Sequence, residues 1–189
     1  MQRGFKTWAE RKSTELRVAL QLPVHGFLSA TALARHLELT IIGPSQLPDI
    51  PPAVLNELLV VNPDCWSAIT IPTDAGTVIV HNTRHAPTRQ ESDLMHEIAH
   101  VICEHKGATV HCSGKLPWAF RTFNEDQEDE AKWLGASLQI PRAGLVWAIN
   151  RKMADPAIAE HFRASEALVR FRRNTTGVDF QQKRMASAF

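Results

Sequence analysis

The run His96-Glu97-Ile98-Ala99-His100 decides how this 189-residue chain can fold. Residues four apart in an α-helix lie on one face, so a helix here would place two imidazole rings one above the other. Such rings can share one tetrahedral Zn²⁺ ion, and Glu97 would point about 100° round the helix, towards a water molecule that the ion activates. The flanking residues are apolar on nearly every side: Leu94, Met95, Val101 and Ile102. Because buried His and Glu side chains need partners, the run predicts a zinc site rather than two surface histidines.

Residues before and after this run predict the ends of its helix. Thr88 and Glu91 are spaced as a capping box, in which two side chains bond to backbone amides at a helix start. Gly107 is a typical helix stop. The sequence therefore predicts a helix over about residues 89–106.

A second helical pattern begins at the acidic residues 125–130 and continues to Pro141, which ends it. Small or apolar residues recur at helical spacing and mark its buried face: Ala131, Leu134, Gly135 and Leu138. Glu128 projects from that same face, because it precedes Ala131 by three residues. Glu130 lies about 200° away round the helix and is expected to be solvated, or to support the site from outside the ligand set.

The predicted ligand set is therefore His96, His100 and Glu128, with Glu97 as the catalytic base. Most of the other acids fit an ordinary acidic first turn, which the helix dipole favours. Two imidazoles and one carboxylate leave a fourth position for water, which is typical of catalytic rather than structural zinc sites. The expected cofactor is Zn²⁺, with Mn²⁺ as a possible replacement.

The rest of the chain predicts an α+β fold, mainly helical with a small three-stranded sheet and the metal site between two core helices. Alternating apolar residues predict strands at about residues 39–42, 67–71 and 77–81. Helical patterns lie at about residues 7–21, 29–36 and 53–59, and again after Pro156.

Composition excludes several classes of protein. The formal net charge of +1 gives no overall field towards nucleic acid or a membrane surface. No long apolar stretch or leader pattern is present, which predicts a soluble, cytoplasmic protein. The odd and scattered cysteines fit reduced thiols: Cys65, Cys103 and Cys112. We expect Cys103 to be a small buried hydrophobe, with a thiolate ligand as the alternative, and a metal or redox role for Cys112 is a minority hypothesis.

Residues 128–141, Glu-Asp-Glu-Ala-Lys-Trp-Leu-Gly-Ala-Ser-Leu-Gln-Ile-Pro, resemble a segment of the ImmA/IrrE family of metallo-endopeptidases. That segment reads Glu-x-Glu-Ala-Asn-x-Phe-Ala-Ala-x-Leu-Leu-Met-Pro. Shorter similar stretches extend the resemblance over about residues 10–175. Two departures are Lys132, where the family has Asn or Asp, and Gly135, where it has Ala.

The resemblance implies a zincin-like metallopeptidase domain over residues 1–149 and a helical, helix-turn-helix-like extension over 150–189. It implies a zinc-dependent endopeptidase whose substrate is a helix-turn-helix transcriptional repressor. Many zinc peptidases use a Tyr or His to help stabilise the oxyanion, but this chain has no tyrosine. The candidates for stabilising the oxyanion, chosen only because they lie near the motif in sequence, are His105, His111, Arg89 and Arg121. We expect each of them to be a surface residue rather than a catalytic one.

Three alternatives stay open on sequence grounds. The chain could be a regulatory protein-binding module with a vestigial metal site. It could bind DNA through four basic residues of the extension, Arg163, Arg170, Arg172 and Arg173. Nucleic acid is nevertheless a less expected partner than a protein. It could also be another zinc hydrolase, such as an amidase, since the ligand set activates water without selecting an acyl substrate.

Overall fold

The computed structural model describes residues 1–105 and 124–181 of the chain. The helices are α1 (Phe5–Ala19), α2 (Ala30–His36), α3 (Pro52–Asn56), α4 (Pro87–Ile102), α5 (Glu125–Gln139), α6 (Arg142–Asn150), α7 (Asp155–His161) and α8 (Glu166–Thr176). The strands are β1 (Thr40–Ile42), β2 (Ala68–Thr73) and β3 (Gly76–His81). The predicted α+β class, mainly helical with a small three-stranded sheet, is confirmed. None of the helices in the described ranges has the length and apolar character needed to cross a membrane.

The sheet has the order β1-β3-β2, so that β3 is central and β2 lies at an edge. β1 pairs parallel to β3, with Ile41 opposite Ile79. β2 and β3 form the predicted antiparallel hairpin, in which Thr70 lies opposite Ile79 and Thr73 opposite Gly76. Gly76 has a φ of 127°, a conformation that glycine adopts without a steric penalty.

Within residues 1–105 and 124–181, two apolar clusters form the core. The first joins α1, α2, the sheet, α4 and α5, and its fully buried members include Leu28, Leu33, Ile79, Met95, Ile98, Leu134 and Leu138. The second joins α6, α7 and α8, with Ile140, Leu145, Ile158, Phe162, Val169 and Val178. The division predicted between residues 149 and 150 stays a prediction.

Helices α4 and α5 approach closely at Gly135. A Cβ atom built there would lie 3.1 Å from the Met95 carbonyl oxygen and 3.2 Å from the His96 amide nitrogen. Such contacts are tighter than ordinary van der Waals packing, so the glycine allows the two backbones to meet. Gly135, which replaces the family's Ala, therefore lies at the contact between α4, which carries His96 and His100, and α5, which carries Glu128.

The predicted capping box at the start of α4 is wrong. The helix begins at Pro87, and its N-cap residue Ala86 makes no side-chain cap. Glu91 instead accepts a hydrogen bond from the backbone amide of Ala30, the first residue of α2. Pro87 needs no cap for its own nitrogen, which carries no hydrogen. Burial raises the pKa of Glu91, and the Ala30 amide opposes that rise.

The predicted end of α4 near residue 106 is also wrong, because the helix ends at Ile102. Glu104 has a left-handed φ of 54°. Its amide bonds the Val101 carbonyl at 3.0 Å, and the His105 amide bonds the His100 carbonyl at 3.1 Å. This pair of bonds is the Schellman motif, which usually has glycine at the left-handed position. Gly107, the predicted stop, lies outside the described residues.

Replacing Glu104 with Gly is expected to raise the free energy of unfolding by about 0.5–1 kcal/mol. A left-handed non-glycine residue costs about 1–2 kcal/mol, and part of the gain is lost to the greater freedom of glycine in the unfolded chain. Chemical denaturation of the metal-free protein measures the change. Glu104→Gln removes the charge without relieving the backbone and should leave stability within about 0.5 kcal/mol of wild type. Equal stability of the Gly and Gln variants would contradict the proposed strain.

Two fully buried arginines hold the C-terminal end of α5. Arg17 Nη2 donates to the Leu138 carbonyl at 2.7 Å, and Arg172 Nε donates to the Ile140 carbonyl at 2.8 Å. These carbonyls lack partners within the helix, so the guanidinium groups supply them. Arg172 also pairs with the Glu10 carboxylate of α1.

The basic residues proposed for DNA contact have other partners in the structure. Arg172 is buried, so its assignment to phosphate contact is wrong. Arg173 pairs with Asp155 and, at 2.7 Å, with Asp179. The other two make surface contacts: Arg170 lies 3.3 Å from Glu166, and the Arg163 guanidinium lies 4.8 Å from the centre of the Phe27 ring. This arrangement favours α8 as a packing helix.

Candidate metal centre

The three predicted ligands converge between α4 and α5. His96 Nε2 lies 3.1 Å from His100 Nε2. Glu128 Oε2 lies 3.4 Å from His96 Nε2, and Glu128 Oε1 lies 3.7 Å from His100 Nε2. In residues 1–105 and 124–181, these three residues form a group whose donor atoms all lie within 4.8 Å of one another.

These spacings fit a tetrahedral zinc site. Ligand atoms at about 2.0–2.2 Å from a tetrahedral ion lie about 3.3–3.6 Å from one another. The two imidazole nitrogens lie 3.1 Å apart, and each has one Glu128 oxygen near this range, Oε2 at 3.4 Å from His96 and Oε1 at 3.7 Å from His100. The His100 side chain is only 6% exposed and Glu128 12%, whereas His96 is 21% exposed, so the site opens on the His96 side.

Residues 67–174 match the family model described as the IrrE N-terminal-like domain, a peptidase family. The match covers 108 residues (174 − 67 + 1), more than half of the 189-residue chain. The chain belongs to this peptidase family. The matched region contains α4, α5 and the three converging side chains, and the family resemblance expected from residues 128–141 is confirmed. The chain matches none of the curated protein sequences.

Family membership indicates a metallopeptidase. Glu97, the predicted catalytic base, is buried on the helix that carries His96 and His100. It is only 1% exposed, one residue from His96 on α4. The Thr70 hydroxyl of β2 donates to Glu97 Oε2 at 2.6 Å. Burial raises the pKa of Glu97 to about 7, while the Thr70 hydrogen bond and His96 act in the opposite direction. Sequence reasoning missed Thr70, whose only signal was a polar residue between two isoleucines in a predicted strand.

A smaller and a larger cavity, both lined by residues that the structure describes, adjoin His96 and share Ser92. One, of about 270 Å³, also contacts Glu97 and the start of β2 at Ser67 and Ala68. The other, of about 350 Å³, runs between α5 and α8 and is lined mainly by apolar atoms, including those of Ala136, Leu168 and Phe171. The site therefore lies between an edge strand and an apolar cavity.

A buried histidine-aspartate pair lies at the rim of the smaller cavity, and sequence reasoning missed it. His85 is 6% exposed, and its Nδ1 lies 2.9 Å from Asp93 Oδ2. Asp93 lines the cavity beside His96. Arg89, a predicted oxyanion candidate, lies 3.9 Å from the same carboxylate and is about half exposed. It lies two helical turns, about 10 Å, before His96, so this conformation does not place it at the site.

The expectation that Glu130 is solvated is wrong. Its side chain is 11% exposed, and Oε2 lies 3.3 Å from His105 Nε2. Its Oε1 accepts a hydrogen bond from the Gln2 backbone amide at 2.9 Å. The alternative expectation, that Glu130 supports the site from outside the ligand set, fits this placement. Residue 130 lies about 200° from Glu128, but the end of α4 brings a histidine to meet it.

The remaining candidates divide into two groups. Cys103 is half-buried against the first apolar cluster, and burial raises the pKa of its thiol to about 12. The thiol packs with that cluster and is not among the converging donor groups, which fits the expected small hydrophobe rather than a thiolate ligand. The predictions for His111, Cys112 and Arg121 lie outside the described residues.

Proposed function

We propose that this protein is a zinc-dependent endopeptidase in which His96, His100 and Glu128 hold the ion and Glu97 is the general base. The observation that carries the proposal is the convergence of two imidazole nitrogens and one carboxylate within ligand-sharing distance, with a buried acid next to one of the histidines in the sequence. Imidazole and carboxylate donors suit zinc, and Mn²⁺ is a possible replacement because it accepts the same atoms.

When bound, zinc supplies Lewis-acid activation of a water molecule and of the substrate carbonyl. Glu97 takes the proton of the attacking water and then delivers it to the departing amine. The Thr70 hydroxyl fixes the rotation of the Glu97 carboxylate, so that the base keeps one orientation.

The edge strand β2 and the two cavities beside His96 suit an extended peptide segment as the substrate. β2 is an edge strand, and its first residue, Ala68, lines the cavity that contacts Glu97. An extended peptide can pair with such an edge through backbone hydrogen bonds, while the apolar cavity beside α8 takes one of its side chains. Resemblance to ImmA/IrrE peptidases supports a helix-turn-helix transcriptional repressor as the substrate, in the cytoplasm.

The test uses a purified helix-turn-helix repressor from the same genome as substrate. We expect one cleavage by the zinc-loaded protein, none after chelation, and recovery when zinc is restored. Manganese serves as a second metal in the same assay. Equal cleavage before and after chelation would overturn the proposal, as would a repressor that binds the zinc-loaded protein and stays intact. The second result would favour the regulatory binding module.

A further inference from the structure

We propose that His105 and Glu130 act as positioning residues that fix the tautomer of His100 and so prepare it to bind the metal. Glu130 accepts a hydrogen bond from the Nε2–H group of His105, and His105 Nδ1 accepts a hydrogen bond from the Nδ1–H group of His100. The ring nitrogen that faces His96 and Glu128 is then left as a lone-pair donor. This inference rests on the proposed zinc site.

The contacts form a continuous chain of polar atoms. Glu130 Oε2 lies 3.3 Å from His105 Nε2, and His105 Nδ1 lies 2.9 Å from His100 Nδ1. His100 Nε2 in turn lies 3.7 Å from Glu128 Oε1. The His105 side chain is 7% exposed and that of Glu130 11%, so water competes little for these bonds.

The chemistry of each group fixes the direction of the chain. An ionised carboxylate can only accept hydrogen bonds, so His105 must carry its proton on Nε2 to bond Glu130. A neutral imidazole protonated at Nε2 has a lone pair at Nδ1, which accepts from His100 Nδ1. His100 is then unprotonated at Nε2, the form that binds zinc. The opposite arrangement would place the His100 proton on Nε2 and block the ligand.

Two features already described bring these hydrogen-bonding groups together. The Schellman motif at the end of α4 reverses the direction of the backbone, so that His105, five residues after His100, contacts the His100 ring. The two rings meet edge to face, with centres 5.0 Å apart and an angle of 70°. Glu130 comes from α5, two residues after Glu128, and the Gln2 amide holds its other oxygen. One helix thus supplies both a proposed ligand and the acceptor that orients another.

The test measures zinc affinity by competition with a chromophoric chelator. His105→Phe keeps a ring of similar size but removes both nitrogens, and we expect about 10–100-fold weaker binding. Glu130→Gln can donate as well as accept, so it no longer enforces one tautomer, and we expect a loss at the lower end of that range. His105→Asn restores an acceptor near Nδ1 and should recover part of the affinity.

Two matched variants serve as controls. Asp129→Asn removes the same charge from the neighbouring exposed residue, and His36→Phe repeats the ring exchange at an exposed histidine. Both should bind zinc within about twofold of wild type. Melting of the metal-free proteins separates loss of fold from loss of affinity, and the visible spectrum of Co²⁺-loaded protein reports ligand geometry. We expect the His105→Phe spectrum to change and the control spectra to match wild type.

The outcomes separate this inference from the proposed function. Failure of the wild-type protein to bind zinc would reject the metal site itself. Normal wild-type binding, with His105→Phe and Glu130→Gln both within about twofold of it, would overturn the positioning role and leave the peptidase proposal standing. If His105→Phe does not fold, the comparison of Glu130→Gln with Asp129→Asn decides the question.

Discussion

Replacing Glu97 with Gln is expected to lower kcat by about 10²–10⁴-fold, the usual contribution of a positioned general base. The amide has nearly the same size and can still bond the Thr70 hydroxyl, but it cannot take a proton from the attacking water. The metal content should remain at the wild-type level, because Glu97 is not one of the proposed ligands. Rates on a cleavable peptide, together with zinc content, measure both quantities on the same sample.

A matched change elsewhere controls for the loss of one negative charge. Glu160→Gln alters an exposed residue of α7 and should leave kcat within about twofold of wild type. Thr70→Val removes the hydroxyl that orients Glu97 and should give an intermediate loss of about tenfold. If the zinc-loaded Glu97→Gln protein keeps full activity, Glu97 is not the general base, even if the metal site is correct.

Replacing Glu10 with Ala is expected to lower the free energy of unfolding by about 3–5 kcal/mol, because it leaves a buried cation without its partner. Glu10 pairs with Arg172, which is fully buried. Its other oxygen accepts from the Arg142 amide at 2.8 Å, at the start of α6. Chemical denaturation measures the loss. The change would loosen the junction where α1, α5, α6 and α8 meet.

Glu15→Ala is the matched control for this prediction, on the same helix. Glu15 pairs with Arg11 at 3.4 Å, with both side chains more than half exposed, and such pairs contribute about 0–1 kcal/mol. A double change, Glu10→Leu with Arg172→Met, removes both charges and should cost less than Glu10→Ala alone. Equal losses for Glu10→Ala and Glu15→Ala would show that the buried arginine does not depend on its carboxylate.

Local patterns in the sequence were sufficient for much of the fold. The helical spacing of apolar residues, together with Pro141 at the end of the pattern, predicted α5 correctly. The alternation of apolar and polar residues predicted the hairpin of β2 and β3. The helical face that holds Ala131 and Gly135 also selected Glu128, which lies beside His96 as expected. These features depend on residues close together in sequence.

Other features depend on partners far away in sequence and could not be read locally. Glu91 has the spacing of a capping residue, but its carboxylate bonds Ala30 of another helix. Glu104 gives no glycine signal for the helix end that it forms. The role of Glu130 depends on that turn, because only the turned chain brings His105 to it. The arginines of α8 resemble a basic binding face in the sequence, but in the structure Arg172 pairs with Glu10 and Arg173 pairs with Asp179.

Anomalous diffraction at the zinc edge, from crystals of the protein grown with zinc, tests the metal centre that the whole mechanism requires. We expect one strong peak between α4 and α5, about 2.0–2.1 Å from the Nε2 atoms of His96 and His100 and about 2.0–2.2 Å from one oxygen of Glu128. A peak held by other residues, or no peak at these three side chains, would contradict the proposed site and the peptidase mechanism built on it.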